Sequence, residues 1–154
     1  MPFVVRSATP ADANAIVEYN RLLAQETENL VLDLSVLKPG VDAILADPNR
    51  GRYFVADRQG DVIGQIMITY EWSDWRNGWI WWLQSVYVRA DQRKGGVFGS
   101  IYRYIEEQAR KEGNVVGLRL YVEHENRAAQ ATYRRMGFQD MHFFLLQKLT
   151  GQSH

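Results

Sequence analysis

Two segments of this chain carry residue types at spacings that can do chemistry. The first is Ser85-Val86-Tyr87-Val88-Arg89-Ala90-Asp91-Gln92-Arg93-Lys94-Gly95-Gly96-Val97-Phe98-Gly99-Ser100. An apolar strand ends there, a polar turn follows, and two glycines open a helix. The free amides of a first helical turn, with the helix dipole behind them, make an anion site. Arg93 and Lys94 add positive charge, so the segment fits a pyrophosphate cradle. It also reads as an ordinary strand-to-helix turn tightened by glycine. The second segment runs from Asn126 to Phe138. Asn126 can cap a helix, Ala129 permits close approach, and Gly137 stops the helix. Tyr133 lies two turns after Asn126 on roughly the same face. Each has a plain packing role open to it, but their joint spacing is much less common.

A third region concentrates aromatic residues. All five Trp fall between Trp72 and Trp82. Alternation places Trp79 and Trp81 on one sheet face and Trp82 on the other. Trp72 beside Glu71 and Asp74 would suit an organic cation, through ring quadrupole and charge. A hydrophobic sheet face with cross-strand pairs accounts for the same residues.

These segments need elements to position them. Phe3 to Arg6 reads as a short strand. Thr9-Pro10-Ala11-Asp12 starts a helix that runs to about Glu26, with Ile16, Tyr19, Leu22 and Leu23 at helical spacing. Thr27 to Lys38 is ambiguous, and Pro39-Gly40 begins a second helix ended by Asp47-Pro48. Strands at Tyr53–Ala56, Val62–Trp72 and Trp79–Val88 form an antiparallel meander, with Asn77-Gly78 a hairpin signal. Then come a helix from Gly95-Gly96 to Gly113, a strand at Val115–Val122, a helix from Asn126 to Arg135 and a last strand at Phe138–Leu149. The fold class expected is α/β of the α+β type. Its mixed, mostly antiparallel sheet has six to seven strands, with about four helices on both faces.

The 154 residues fit one domain, 1–154, with neither repeats nor low-complexity tracts. Lys and Arg total 18, balanced by 18 Asp and Glu, which argues against a nucleic-acid partner. The absence of Cys excludes a thiolate nucleophile and any Cys-bound metal, and three scattered His do not suggest a metal centre. No basic, then apolar leader opens the chain and no apolar run would span a membrane, so a cytoplasmic protein is expected.

The pattern Arg-x-x-Gly-Val-x after the Val86-Tyr87-Val88 strand, followed by Asn126-x-x-Ala129-x-x-x-Tyr133-x-x-x-Gly137-Phe138, resembles the GNAT superfamily of acetyl-CoA-dependent N-acetyltransferases. The resemblance extends along almost the entire chain and implies acetyl transfer from acetyl-CoA, without metal. By the same resemblance, Val86, Tyr87 and Val88 would present strand amides and carbonyls to the pantetheine arm. Arg93, Lys94, Gly95, Gly96, Val97, Phe98 and Gly99 would wrap the pyrophosphate. Asn126 and Ala129 would touch the cofactor, and Tyr133 would protonate the leaving thiolate. Phe98 stands where the family often has a small residue.

An alkylamine of pKa near ~10 must lose a proton before it attacks. Polyamine-acetylating relatives carry Trp-Leu-Glu-Asp on the fourth strand, whereas this chain has Trp82-Leu83-Gln84-Ser85. Gln84 cannot be a base but could hold substrate or water. Glu71 is the base candidate, with Asp74, Glu123, His124 and a water relay as alternatives. Glu26 and Glu28, after the first helix, could bind an ammonium group, as could Trp72 and Asp74. The expectation is an N-acetyltransferase for a small polyamine- or amino-acid-like amine. A non-catalytic acyl-CoA-binding domain and a peptide or protein acetyltransferase are the alternatives. No Gly-Lys-Ser/Thr follows the glycines, which disfavours a P-loop. The Trp cluster and Phe143-Phe144-Leu145-Leu146 suggest a homodimer.

Overall fold

The structure, a computed structural model, describes residues 2–151. The chain forms two compact units that meet in sequence between Leu120 and Tyr121.

The first unit holds a five-stranded sheet in the order β1-β2-β3-β4-β5. The strands are β1 (Val4–Ser7), β2 (Arg52–Arg58), β3 (Asp61–Ser73), β4 (Gly78–Val88) and β5 (Val115–Arg119). β1 to β4 pair antiparallel, and β5 joins β4 in parallel. The parallel pair needs a crossover, supplied by helix α3 (Val97–Glu112).

Helix α1 (Ala13–Glu28) follows a one-turn 3-10 helix at Pro10–Asp12. Asp12 fixes this start. Its Oδ2 accepts the Thr9 backbone N–H at 2.7 Å, and its two oxygens take the Arg6 guanidinium at 2.8 and 2.9 Å. Helix α2 spans Leu34–Ala46, so the expected start at Pro39 is corrected: Pro39 lies inside the helix. The true start is Asp33, whose Oδ1 accepts the Ser35 N–H at 2.9 Å.

Adjacent strand residues face opposite ways, which assigns the helices to faces. Val55 packs with Tyr19 of α1, while its neighbour Phe54 meets Tyr104 of α3 with ring centroids 5.6 Å apart. Helices α1 and α3 therefore cover opposite faces. Gly64 sets how closely α3 approaches, because a Cβ there would stand 2.8 Å from Val97 Cγ1.

The second unit contains helix α4 (Arg127–Arg135), capped by Asn126, whose Oδ1 accepts the Ala129 N–H at 3.2 Å. Gly137, at φ 101°, ends it. Arg134 then pairs with Asp140 at 2.9 Å.

Among the described residues the count of six to seven strands is corrected to five. β5 stops at Arg119, short of Val122, and the expected strand over Phe138–Leu149 does not form. Phe143, Phe144 and Leu146 are 81%, 89% and 88% exposed. Their composition is that of a buried strand, but a strand exists only where a neighbour pairs its backbone.

Candidate active site

The end of β4 and the start of α3 bring the first sequence segment together. Between Met67↔Gln84 and Gln65↔Tyr87 the register slips, so β4 holds one more residue than β3. Ser85 takes the slack at φ 50°. This is a β-bulge, which kinks a strand and re-aims its peptide groups. From Leu83 onward β4 has β3 on one flank and, among the described residues, no strand on the other.

After the strand, Ala90–Gln92 form a 3-10 turn, and Lys94 and Gly96 adopt φ 67° and 80°. Among the described residues no side chain caps α3. Ser100 N–H closes the first helical bond onto the Gly96 carbonyl, leaving the Val97, Phe98 and Gly99 amides outside the helical ladder. A Cβ at Gly96 would meet nothing within 4 Å, so this helix end is open, and only the backbone angle demands glycine. Phe98 lies along the helix against Tyr102, ring centroids 6.3 Å apart, rather than across the helix end.

Arg93 points elsewhere than its sequence position suggests. Its guanidinium donates to Glu26 Oε1 at 2.8 Å and to the Val88 carbonyl at 2.9 Å, and lies 5.2 Å from the Tyr87 ring centroid. Tyr87 donates its hydroxyl to the other oxygen of Glu26 at 2.5 Å. Burial, then the Glu26 carboxylate, pushes the Tyr87 phenol up to about 12. Burial works against ionised Glu26, but the bonds from Tyr87 and Arg93 outweigh it and hold the carboxyl below its usual range. Glu26 is thus a latch between α1 and the turn. Glu28 lies exposed at the end of α1.

The aromatic cluster and the carboxylate candidate separate onto two faces. Tyr70, Trp79 and Trp81 share the α3 face, and Trp72 sits edge-on to Trp79 at 5.1 Å. Tyr70, Trp79 and Trp81 border a cavity of about 560 Å³. The cation against this wall is the chain's own: Arg52 stacks 5.0 Å from the Trp81 centroid and pairs with Glu112 at 3.5 Å. Glu71 faces the other way, accepting Trp82 Nε1–H at 2.8 Å and Arg119 at 3.2 Å. Gln84 shares the Trp82 face and donates to Thr69 Oγ1 at 2.5 Å. Asp74 sits exposed in the β3–β4 turn, where its carbonyl accepts the Asn77 N–H.

In the second unit, Asn126, Ala129 and Tyr133 lie on α4 and its cap as their spacing requires. Tyr133 meets Phe138 edge-on at 5.7 Å, and burial pushes its phenol up to about 12.

One group of residues went unnoticed in the sequence. Asn20 Nδ2 donates to the Ile16 carbonyl and to the Tyr53 hydroxyl, both at 3.0 Å. Gln65 Nε2 donates to the Ser85 carbonyl at 3.0 Å. Three elements, α1, β2 and β3, thus contribute a buried polar group beneath the bulge. The available signal was Gln65 itself, alone among apolar residues and a glycine over Val62–Ile68.

Among the described residues no helix is long and apolar enough to cross a membrane. Among them, too, no group of three or more His, Asp or Glu is placed to hold a metal ion. The acetyltransferase (GNAT) family model matches residues 18–138. A solved structure described as a possible acetyltransferase from Clostridium difficile 630 is 41% identical, with TM-score 0.90 over 99% of this chain and 100% of that one. A predicted acetyltransferase from Clostridium acetobutylicum, solved with acetyl-CoA, shares the fold at 19% identity, with TM-score 0.77 and 96% coverage of each chain. The ribosomal-protein-alanine N-acetyltransferase of Brucella melitensis biovar Abortus 2308 shares it at 13% identity, with TM-score 0.76 over 96% of this chain and 99% of that one. No curated protein matches in sequence. The family match spans most of the chain, and with the open α3 terminus after a bulged β4 it identifies this protein as a member of the GNAT acetyltransferase family.

Proposed function

We propose that this protein is an N-acetyltransferase moving the acetyl group of acetyl-CoA to a primary amine of a small, polyamine- or amino-acid-like molecule by direct attack. The observation that carries this reading is the uncapped, open N-terminus of α3 placed directly after a strand whose outer flank is free from Leu83 on. The residues present fit the cofactor. Its pyrophosphate would take the Val97, Phe98 and Gly99 amides and the charge of Lys94, and its pantetheine would take the free flank of β4 through Val86 and Val88.

Acetyl-CoA supplies an activated acetyl group when bound. An amine nitrogen would take that acetyl group, forming the bond to carbon as the bond to sulfur breaks and the thiolate leaves with the electron pair. The Val86 N–H would polarise the thioester carbonyl, and the family resemblance gives the Tyr133 hydroxyl the role of donor to the leaving sulfur. Asn126 and Ala129 shape the pantetheine contact. Glu71, oriented by Arg119 and Trp82, would take the proton of the attacking nitrogen, with a water relay as the alternative. Glu71 and Gln84 then contribute to acceptor binding. Exposed Phe143, Phe144 and Leu146 support a homodimer.

Titration of the purified protein with acetyl-CoA, CoA and ATP, followed by a thiol-release screen of polyamines, amino acids, aminoglycosides and peptide N-termini, tests this reading. Acetyl-CoA should bind in preference to ATP, and release should follow a small amine. Binding without release by any amine would make the protein a non-catalytic acyl-CoA-binding domain. Release with peptides alone would replace the small-molecule acceptor. Preference for ATP would overturn the reading outright.

A further inference from the structure

Gln65 is 0% exposed, and its Oε1 has no hydrogen-bond partner among the described residues. Native interiors seldom retain such a group, because an unsatisfied buried acceptor carries a desolvation cost. An apolar side chain of the same length would avoid the cost. What the glutamine supplies instead is its other end, Nε2, which donates to the Ser85 carbonyl at 3.0 Å. The flip state follows from this contact, since the opposite orientation would set two oxygens against each other.

The Ser85 carbonyl and the Val86 N–H belong to one planar trans peptide, so they point in opposite directions. Gln65 stands in β3, and its bond draws the Ser85 carbonyl toward that strand. The Val86 N–H is thereby turned away from β3, toward the flank of β4 that no strand covers among the described residues. Ser85 holds φ 50°, a region costly for a residue other than glycine, so the turned peptide needs an external hold.

We infer that Gln65 is a positioning residue that rotates the Ser85–Val86 peptide and so presents the Val86 N–H as the donor that polarises the acyl carbonyl. This rests on the acetyltransferase reading above. Gln65 touches no reacting atom and acts only through the peptide it holds.

The test uses Gln65→Met, which keeps length and removes both polar atoms, and Gln65→Asn, which keeps the amide but withdraws it by one carbon. In Gln65→Met, loss of the orphan acceptor offsets loss of the Ser85 contact, so the melting temperature should stay near the parent's. Three quantities are read on parent and variants: the dissociation constant for acetyl-CoA, kcat against KM for the amine, and the infrared carbonyl stretch of bound, isotope-labelled acetyl-CoA. The parent should shift that stretch to lower frequency than free acetyl-CoA. Each folded variant should lose most of the shift and about tenfold or more of kcat, with acetyl-CoA affinity and KM kept within about twofold; deleting such a donor outright costs ~10²–10³. A shift and kcat equal to the parent's in either folded variant would overturn the inference and leave the acetyltransferase reading intact. A parent that does not bind acetyl-CoA would remove both.

Discussion

Arg93 Nη2 reaches Glu26 Oε1 at 2.8 Å, so the turn that opens α3 is held by a helix residue 67 positions earlier in the chain. Both side chains are more than a third exposed, and such a pair contributes only ~0–1 kcal/mol to folding. Its value is local order, since the same arginine also holds the Val88 carbonyl. Arg93→Ala should leave the fold intact and weaken acetyl-CoA by up to about fivefold, the equivalent of ~1 kcal/mol. Isothermal titration checks this. An unchanged dissociation constant would make the latch a structural staple with no part in binding.

Tyr133→Phe removes one hydroxyl and keeps the ring against Phe138. With its phenol pushed up to about 12 by burial, Tyr133 stays protonated, and able to donate, throughout the neutral and mildly alkaline range. General-acid assistance is worth ~10²–10⁴-fold, and a thiolate needs little of it, so kcat should fall by about a hundredfold at most. Acetyl-CoA affinity should hold. No alkaline loss of rate below the phenol's own titration should trace to this residue. Unchanged turnover, with chemistry shown to be rate-limiting, would make Tyr133 a packing residue.

Asp12 joins the Arg6 guanidinium to the cap of the first helical turn. The Arg6 hydrogen bond, chiefly, holds its carboxyl below the ordinary value despite burial. A depressed folded pKa means the stabilisation is fully present above the unfolded value near ~3.9 and is lost as pH falls through the lower folded one. Asp12→Ala should cost about 1–3 kcal/mol at neutral pH. In urea unfolding, the gap between parent and variant should narrow as the medium is acidified through that window. A pH-independent gap would assign the effect to packing alone.

Phe143, Phe144, Leu145 and Leu146 present four successive large apolar side chains to solvent. Two copies covering such segments approach the ~1,200–2,000 Å² that stable interfaces bury. Light scattering across a concentration series should give twice the chain mass, and Leu146→Asp should lower it toward the monomer. A monomeric parent at every concentration would refute the dimer.

Much of the fold was written locally. Thr9-Pro10-Asp12 marked the first helix start, and Gly95-Gly96 and Gly113 bounded α3, because caps and positive φ act over a few residues. Pro39-Gly40 misled, since proline suits a first helical turn, whereas the actual cap is Asp33. Phe143–Leu146 misled for another reason: apolar content does not reveal whether a partner strand exists. The site divides similarly. The open α3 terminus is legible in consecutive residues. The Glu26–Arg93 latch joins two distant elements, and the contact of Gln65 with Ser85 depends on a register slip that local patterns do not encode.

The one parallel pairing in the sheet has a bearing on the order of assembly. β2, β3 and β4 are joined by short turns and can zip together early, whereas β5 can add to β4 only after α3 has crossed the sheet. The turn that would grip the pyrophosphate lies at the head of that crossover. It is therefore completed late in folding and is among the first parts to open when the molecule loosens. Amide hydrogens of β5 and the first turn of α3 should exchange before those of the β2–β4 meander. A ligand bound there would slow the exchange of β5, a strand it need not touch.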